Sequence, residues 1–271
     1  MSSNRIQLRM DALKASHRKA LIPYIVAGDP TPDVTVPAMH AMVTAGADII
    51  ELGMPFSDPF ADGPVNQRGA ERAIAGGMTL RGVLDAVSEF RQTDQETPIV
   101  LMGYLNPLIA MGEAAFCDAC QDSGVDGLLI VDMPPEEEGS LVQAAKTRGL
   151  DLIYLAAPTT TDERLKTIGQ ATSGYLYYVS LKGITGSSKL DTTEVANRIG
   201  HIRQHVSVPI CVGFGIRTAE DAAAISSTAD GSIVGTVLVS QVEALVNDPV
   251  KIPEALQSIL KPMREAMDAK A

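Results

Sequence analysis

Residues 47–64 read ADIIELGMPFSDPFADGP, a short apolar strand followed by an irregular loop rich in proline, glycine and aspartate. Residues 47–52 form the kind of apolar run that is typical of a strand covered on both faces, and Glu51 interrupts it. Because side chains alternate along a strand, Glu51 shares a face with Ile49, close to the strand's carboxyl end. Burial without a partner raises the pKa of such a carboxyl group, which suits proton transfer near neutral pH. The alternative is a core glutamate paired with an Arg or Lys from elsewhere in the chain.

Apolar runs of this kind recur along the chain, and amphipathic helical patterns separate them. The predicted strands are Leu21–Ala27, Asp48–Leu52, Ile99–Met102, Gly127–Val131, Leu150–Leu155, Tyr175–Val179, Ile210–Val212 and Gly231–Val234. The predicted helices include an N-terminal segment and Val34–Thr44, Leu80–Arg91, Glu113–Ser123, Glu136–Arg148, Asp162–Gln170, Thr193–His205, Ala219–Ser226 and Val237–Val246. Alternating strands and helices form a parallel sheet with right-handed crossovers, and eight strands favour closure.

We therefore predict an α/β protein, a (β/α)8 TIM barrel in one domain over residues 1–271, with an extra N-terminal helix. Long loops are expected after the second and sixth strands, at Pro55–Gly77 and Ser180–Asp191. Such loops are where lids and partner contacts occur.

The formal net charge of −11 disfavours nucleic acid and anionic membranes as partners. The N-terminal residues lack the apolar core of a secretory signal, and no run approaches transmembrane length. The 3 cysteines indicate a reducing, cytoplasmic location.

Two possible metal motifs are weak, and we predict no metal site. Cys117 and Cys120 form a C-x-x-C inside a helical pattern, without a second ligand pair nearby. His201 and His205 are spaced for one helix face but lack a third ligand, so a solvated helix is favoured.

Glycine-bearing turns follow the last three predicted strands, at residues 183–186, 213–215 and 235–236. Glycine lets the backbone approach an anion, and the N–H groups of a helix start attract it. In barrels of this kind these loops form the usual phosphate site, so we predict one here. Thr218 and Asp221 form a capping-box pattern for the helix after the seventh strand.

Several motifs together resemble one family, the alpha chain of tryptophan synthase. They are ELGMPFSDPFADGP (51–64), PYIVAGDP (23–30), YLNP (104–107), DMP (132–134), GITG (183–186) and VGFGI (212–216). The motifs span nearly the whole chain, and the first is highly specific.

The resemblance implies cleavage of indole-3-glycerol phosphate to indole and D-glyceraldehyde 3-phosphate, a retro-aldol reaction that uses no cofactor in this chain. Glu51 matches the acid that protonates the ring carbon bonded to the glycerol chain. Asp62 matches the carboxylate that hydrogen-bonds the indole N–H and stabilises its developing positive charge. Asp62 lies on the loop, so closure can control its arrival.

The resemblance also implies the binding residues. Thr185 would pack against Asp62 on closing, and the phosphate would be held by Gly186, Gly213, Phe214, Gly215, Gly235 and Thr236. The indole pocket would be lined by Tyr24, Leu101, Tyr104 and Tyr177, for each of which plain core packing is the alternative. Thr236 stands where many members carry Ser, and Leu181-Lys182 where some carry Arg-Ala.

The family implies a partner as well, a beta chain that uses pyridoxal phosphate, in an alpha2-beta2 heterotetramer. The surface facing it would include Phe56, Ser57, Asp58 and Pro59. Two rival functions remain open at this point. One is a Schiff-base aldolase that uses Lys182, which follows the sixth strand. The other is a non-catalytic subunit that binds indole or phosphate and activates a partner.

Overall fold

The computed structural model describes residues 4–137, 139–179, 192–213 and 215–269, and a parallel sheet runs through them. Its nine described strands are β1 (Ala20–Val26), β2 (Ile50–Gly53), β3 (Ile99–Gly103), β4 (Gly127–Ile130), β5 (Asp151–Leu152), β6 (Leu155–Ala156), β7 (Leu176–Val179), β8 (Ile210–Gly213) and β9 (Gly231–Val234). They lie in the order β5-β4-β3-β2-β1-β9-β8-β7-β6.

The two outer strands of that order are pieces of the fifth predicted strand. Between them, the Ile153 N–H donates to the Leu128 carbonyl at 2.9 Å. The Tyr154 carbonyl accepts from the Tyr177 N–H at 3.0 Å. One short segment therefore bonds to β4 on one side and to β7 on the other, which closes the sheet. The prediction of an α/β barrel with eight strand positions is confirmed.

Helices alternate with the strands over the described residues. They are α1 (Arg5–Ala15), α2 (Thr35–Thr44), α3 (Pro64–Ala75), α4 (Leu80–Phe90), α5 (Leu105–Met111), α6 (Glu113–Ser123), α7 (Ser140–Thr147), α8 (Asp162–Ala171), α9 (Thr192–Ile202), α10 (Ala219–Ser226), α11 (Thr236–Ala244) and α12 (Ile252–Asp268). Short 3-10 turns cover Pro32–Val34 and Pro249–Lys251. None of the helices in the described part of the chain is long and apolar enough to span a membrane.

The predicted long segment Pro55–Gly77 after the second strand is present, but it is not a loop throughout, because α3 occupies residues 64–75. Pro64 is at the first helical position, where its missing N–H costs nothing and its fixed φ favours the helix. Residues 54–63 are irregular, and residues 76–77 form a turn after the helix. The second predicted long loop, Ser180–Asp191, lies outside the described residues.

Helix α1 packs against the interior of the barrel. Its buried Ile6, Met10 and Leu13 belong to one apolar cluster with the inward side chains Ala20, Ile22, Ile49, Val100, Leu129, Ile153, Tyr175, Cys211 and Ile233. Full burial of each large apolar side chain stabilises the fold by roughly 1.5–3 kcal/mol. The extra N-terminal helix that was predicted is thus part of the barrel's core, while the prediction of a single domain over 1–271 stays a prediction.

Helix α3 is tied to its surroundings by Arg72. The guanidinium donates to both carboxylate oxygens of Asp29, each at 2.8 Å, and to Glu243 Oε1 at 2.9 Å. Asp29 lies just after β1 and Glu243 lies on α11, so three neighbouring elements are joined. These contacts fix α3, the helix that follows the irregular loop 54–63.

Candidate active site

Glu51 is the buried acid that the sequence singled out. It is fully buried on β2, and Tyr175 Oη donates to its Oε1 at 2.6 Å. Its Oε2 has no hydrogen-bond partner among the described residues. Burial raises the pKa of Glu51 to about 8, and the hydrogen bond from Tyr175 opposes part of that rise. Among the described residues no Arg or Lys forms an ion pair with it, so the core-pair alternative finds no support there.

The sheet register explains why Glu51 faces the barrel interior. Glu51 is paired with Tyr24 of β1 and Val100 of β3. Val100 belongs to the interior cluster, as does Ile49 two residues before Glu51. Since side chains at i and i+2 share a face, the carboxyl group points into the barrel.

Asp62 lies on the irregular loop and is tied to Tyr104. Tyr104 Oη donates to Asp62 Oδ2 at 2.9 Å and accepts from the Ala61 N–H at 3.1 Å. Burial raises the pKa of Asp62, while hydrogen bonds from Tyr104 and Asn66 counteract it. Gln67 Nε2 donates to the Asp62 carbonyl at 2.8 Å, which links the loop to α3.

Tyr24 lies beside the backbone of two strand ends. A Cβ added to Gly53 would be 2.5 Å from its hydroxyl oxygen, and one added to Gly235 would be 3.4 Å from its Cδ1. Burial raises the pKa of Tyr24 well above its usual value, and the charges of Asp62 and Glu51 raise it further. Tyr24 therefore lies within electrostatic reach of both predicted catalytic acids.

The Tyr177 side chain lies against Gly213, the last residue of β8. A Cβ on Gly213 would collide with its hydroxyl group, so glycine is required for the ring to rest there. Burial raises the pKa of Tyr177, and Glu51 and Asp62 add to the rise. Glu51, Asp62, Tyr24 and Tyr177 thus form one group of residues.

The prediction that Leu101 lines the pocket is wrong. Leu101 is fully buried in the larger apolar cluster that includes the helices around the barrel. Its neighbour Met102 contacts the interior cluster and lines a cleft with Tyr24, Asp62 and Tyr104. The reason is the alternation along β3, which turns Val100 and Met102 inward and Leu101 outward.

The glycines predicted for phosphate lie at the ends of neighbouring strands. Gly213 ends β8, and Gly215 follows it with a φ of 79°, a conformation that favours glycine. Gly235 follows β9 and caps α11, whose first residue is Thr236. Their backbone N–H groups near a helix start offer an anion site. The predicted capping box of Thr218 and Asp221 is present.

Three of the predicted binding residues, Thr185, Gly186 and Phe214, lie outside the described residues. So does Lys182, the amine of the Schiff-base alternative. The structure of the described chain neither supports nor contradicts these four predictions.

The loop predicted to face a partner presents an aromatic surface. Phe56 and Phe60 pack on Tyr104, with ring centroids 5.6 and 5.4 Å away. Phe60 is nevertheless 74% exposed. Ser57 and Asp58 are exposed, with Ser57 Oγ donating to Asp58 Oδ2 at 2.8 Å, and Pro59 is half-buried.

Sequence reasoning missed three residues of this region, Tyr175, Met102 and Phe60. Tyr175 could have been found, because it precedes the pocket residue Tyr177 by two positions and so shares its face. Met102 could be found only by knowing which side chains of β3 face the barrel interior. Phe60 belongs to the quoted motif but was not singled out.

Neither weak metal motif is part of this site. Cys117 and Cys120 are buried free thiols on α6, and burial raises the pKa of Cys117 to about 11. The expectation that His201 and His205 lack a third ligand is wrong, since Asp162 Oδ1 lies 2.7 Å from His201 Nε2. Asp162 is remote in sequence, so only the packing of α8 against α9 brings it there.

Comparison with known proteins supports the resemblance drawn from the motifs. The sequence profile of the family described as "Tryptophan synthase alpha chain" matches residues 10–268. The chain belongs to this family. The tryptophan synthase alpha chain of Marinobacter nauticus is 55% identical over 268 residues, covering 99% of both chains.

Solved members of the tryptophan synthase alpha chain family share the fold. The alpha subunit from Legionella pneumophila superposes with a TM-score of 0.93 at 43% identity, covering 99% of this chain and 100% of that one. A crystal structure of tryptophan synthase from M. tuberculosis in an aminoacrylate-bound form gives 0.86 at 32% identity, covering 98% and 100%. The similarity therefore extends over nearly the whole of this chain and of each of these relatives.

Proposed function

We propose that this chain is the alpha subunit of tryptophan synthase and cleaves indole-3-glycerol phosphate to indole and D-glyceraldehyde 3-phosphate. In enzyme terms it is a carbon-carbon lyase of tryptophan biosynthesis. The observation that carries the proposal is Glu51, which is fully buried, has no partner for Oε2 among the described residues, and has a pKa of about 8. Such a carboxyl group is protonated at neutral pH and can act as an acid.

The chemistry requires a proton before the carbon-carbon bond can break. Glu51 gives its proton to the ring carbon that bears the glycerol chain, which leaves a positive charge on the ring nitrogen. The carboxylate then takes the proton of the adjacent hydroxyl group as the aldehyde forms. The electron pair of the broken bond returns to the ring, so indole leaves neutral and Glu51 ends protonated.

Asp62 supplies the opposite charge for the ring nitrogen. A carboxylate that accepts the indole N–H stabilises the cation formed by protonation, in a site that largely excludes water. In the described conformation its Oδ2 is bound to Tyr104. Tyr104 therefore holds Asp62 at the cleft, and the same loop carries it towards or away from the substrate.

The phosphate group would lie at the other end of the substrate. The turns at Gly213 and Gly235 and the start of α11 provide backbone N–H donors and a helix dipole. Local donors of this kind bind one phosphate despite the net charge of −11. Thr185, Gly186 and Phe214 would complete this end of the pocket.

We further propose a beta-chain partner in an alpha2-beta2 heterotetramer, located in the cytoplasm. This chain would need no cofactor, and pyridoxal phosphate would belong to the beta chain. Phe56, Ser57, Asp58 and Pro59 would meet the partner, and the exposed Phe60 would join them. Aromatic side chains on an exposed loop are typical of protein interfaces.

The test is indole formation from indole-3-glycerol phosphate, measured with and without the beta chain. Glu51→Gln keeps the shape and removes the acid, so we expect cleavage to fall by more than about a hundredfold with near-normal substrate binding. Asp62→Asn should also lose most activity. Glu89→Gln, an exposed position on α4, is the matched control. A Glu51→Gln variant that keeps most of its activity contradicts the assignment.

The same assay separates the rival functions. A purified chain that binds the substrate but releases no indole, alone or with the beta chain, would be a binding subunit. A lysine adduct trapped by borohydride in the presence of substrate would indicate the Schiff-base mechanism through Lys182.

A further inference from the structure

Three potential metal ligands meet outside the barrel, at the start of α8 and at the end of α9 with the turn that follows it. Asp162 is the first residue of α8, His201 lies in the last turn of α9, and His205 follows one helical turn later. His201 Nε2 lies 2.7 Å from Asp162 Oδ1, and His205 Nε2 lies 4.0 Å from Asp162 Oδ2. The two imidazole rings have their centroids 5.2 Å apart.

The spacing of these atoms is close to that of a coordination sphere. One ligand atom from each of the three residues lies within 4.8 Å of the others. Tetrahedral zinc with bonds of about 2.1 Å places its ligand atoms about 3.4 Å apart. The distances from the two imidazoles to Asp162, 2.7 and 4.0 Å, lie on either side of that spacing.

His205 supplies an observation that the ion pair alone does not explain. Its Nε2 atom is buried and has no hydrogen-bond partner among the described residues. A buried polar atom without a partner costs roughly 1–3 kcal/mol. The bond between His201 and Asp162 leaves this nitrogen unpaired, whereas an ion between the three side chains would bind it.

The backbone around the cluster is already in place. Thr161 caps α8 through its side chain, so Asp162 is fixed at the helix start. Arg198 of α9 donates to the Thr160 carbonyl, just before that helix. The two elements are thus joined by protein contacts, and the ligands need no folding step to come together.

We propose that Asp162, His201 and His205 form a binding site for a divalent transition-metal ion such as zinc. Two imidazoles and one carboxylate suit zinc, nickel or copper, whereas magnesium and calcium prefer oxygen ligands throughout. The Asp162 side chain is 58% exposed, which leaves room for water as the fourth ligand. The ion would crosslink α8 to α9.

The test uses the full-length chain without a histidine tag, after removal of metal by a chelator. Zinc binding is measured by competition with a chromophoric chelator, and cobalt provides the coordination spectrum. We expect one equivalent of zinc, an increase in the melting temperature on binding, and a cobalt spectrum of nitrogen and oxygen ligands.

Three variants and a control make the result specific. His201→Asn with His205→Asn should abolish binding and the zinc-dependent rise in melting temperature. His205→Asn alone leaves the bond between His201 and Asp162 intact and should weaken binding by about tenfold or more. Asp162→Asn should weaken it similarly. His17→Asn is the control, because His17 is exposed and its positive φ of 57° suits Asn.

The proposal is overturned if the wild-type chain takes up no zinc. It is equally overturned if binding survives in the double variant, or if cobalt gives the charge-transfer band of a thiolate. The last result would assign the metal to the cysteine pair on α6. Indole formation plays no part in these measurements, so their outcome is independent of the proposed lyase activity.

Discussion

Tyr175 Oη donates a hydrogen bond to Glu51 Oε1 at 2.6 Å, between two fully buried residues 124 positions apart. The bond occupies Oε1, so Oε2 is the oxygen that has no hydrogen-bond partner in the described part of the chain. It also stabilises the charged form of Glu51, and so it opposes the rise in pKa that burial causes. Tyr175 is therefore a positioning residue for the proposed acid.

Replacing Tyr175 with Phe should raise the pKa of Glu51 further, because the opposing bond is lost. In the wild type, the alkaline limb of the pH profile of kcat should lie near pH 8. We expect the variant's limb to lie at higher pH. Without the bond, the Glu51 carboxyl group is no longer held in one orientation. We therefore expect kcat to fall by about tenfold to a hundredfold, with little change in KM. A pH profile of indole formation checks this, with Tyr178→Phe as the control. A limb that stays in place or moves to lower pH would show that the bond does not lower the pKa of Glu51.

Glu51 should also make the folded chain less stable as pH rises. Its pKa is about 8 when folded and 4.5 in the reference state, so between these values the folded chain holds a proton that the unfolded chain has released. The contribution is fully present below about pH 4.5 and is lost as pH rises through 8. The free energy of unfolding should fall by at most about 1.4 kcal/mol per pH unit in this window.

Glu51→Gln removes that dependence while it leaves the other buried carboxylates unchanged. Urea unfolding of both proteins between pH 5 and pH 8.5 should therefore give curves that diverge, with the variant gaining relative stability at high pH. Parallel curves would mean that Glu51 has an ordinary pKa in the folded chain.

Gly213→Ala should damage the substrate site, because the new Cβ would occupy the space of the Tyr177 hydroxyl group. We expect the ring to be displaced, with KM raised and kcat/KM lowered by roughly tenfold or more. Gly63→Ala is the matched control, since nothing lies within 4 Å of its Cβ position and its φ is −69°. Equal activity of the two variants would contradict the close contact.

Leu101→Ala and Met102→Ala should separate core packing from the pocket. Leu101 is fully buried among the surrounding helices, so its truncation should cost about 2–5 kcal/mol of unfolding free energy and leave KM unchanged. Met102 lines the cleft and is only partly buried, so its truncation should raise KM at a smaller cost in stability. Urea unfolding and steady-state kinetics on both variants check this, and the reverse pattern would restore the original assignment of Leu101.

Much of the barrel was predictable because each of its elements has a local signal. The helix over residues 219–226 and the strand over residues 231–234 were predicted with their observed bounds. The fifth strand was predicted as continuous, but in the structure it forms two short strands, β5 and β6. Its hydrogen bonds change from β4 to β7 between Ile153 and Tyr154. That change depends on closure of the sheet, which no local pattern records.

The errors have equally specific causes. The segment Pro55–Gly77 was predicted as one long loop, although its irregular first part ends at Pro64, which opens a helix. On β3 the pocket residue was assigned one position early, and one position reverses the face of a strand. Both errors concern short segments of apolar or mixed residues. In such segments the residue pattern alone does not decide where a helix begins or which side chains face inward.

By itself the sequence determined the alternation of strands and helices, the family motifs, and an acid in an apolar strand, because these depend on neighbours along the chain. Only the tertiary structure decided that Tyr175 binds Glu51, that Met102 lines the cleft, and that Asp162 meets two histidines. The physical reason is distance along the chain: closing the barrel brings together side chains whose contacts leave no trace in the spacing of nearby residues.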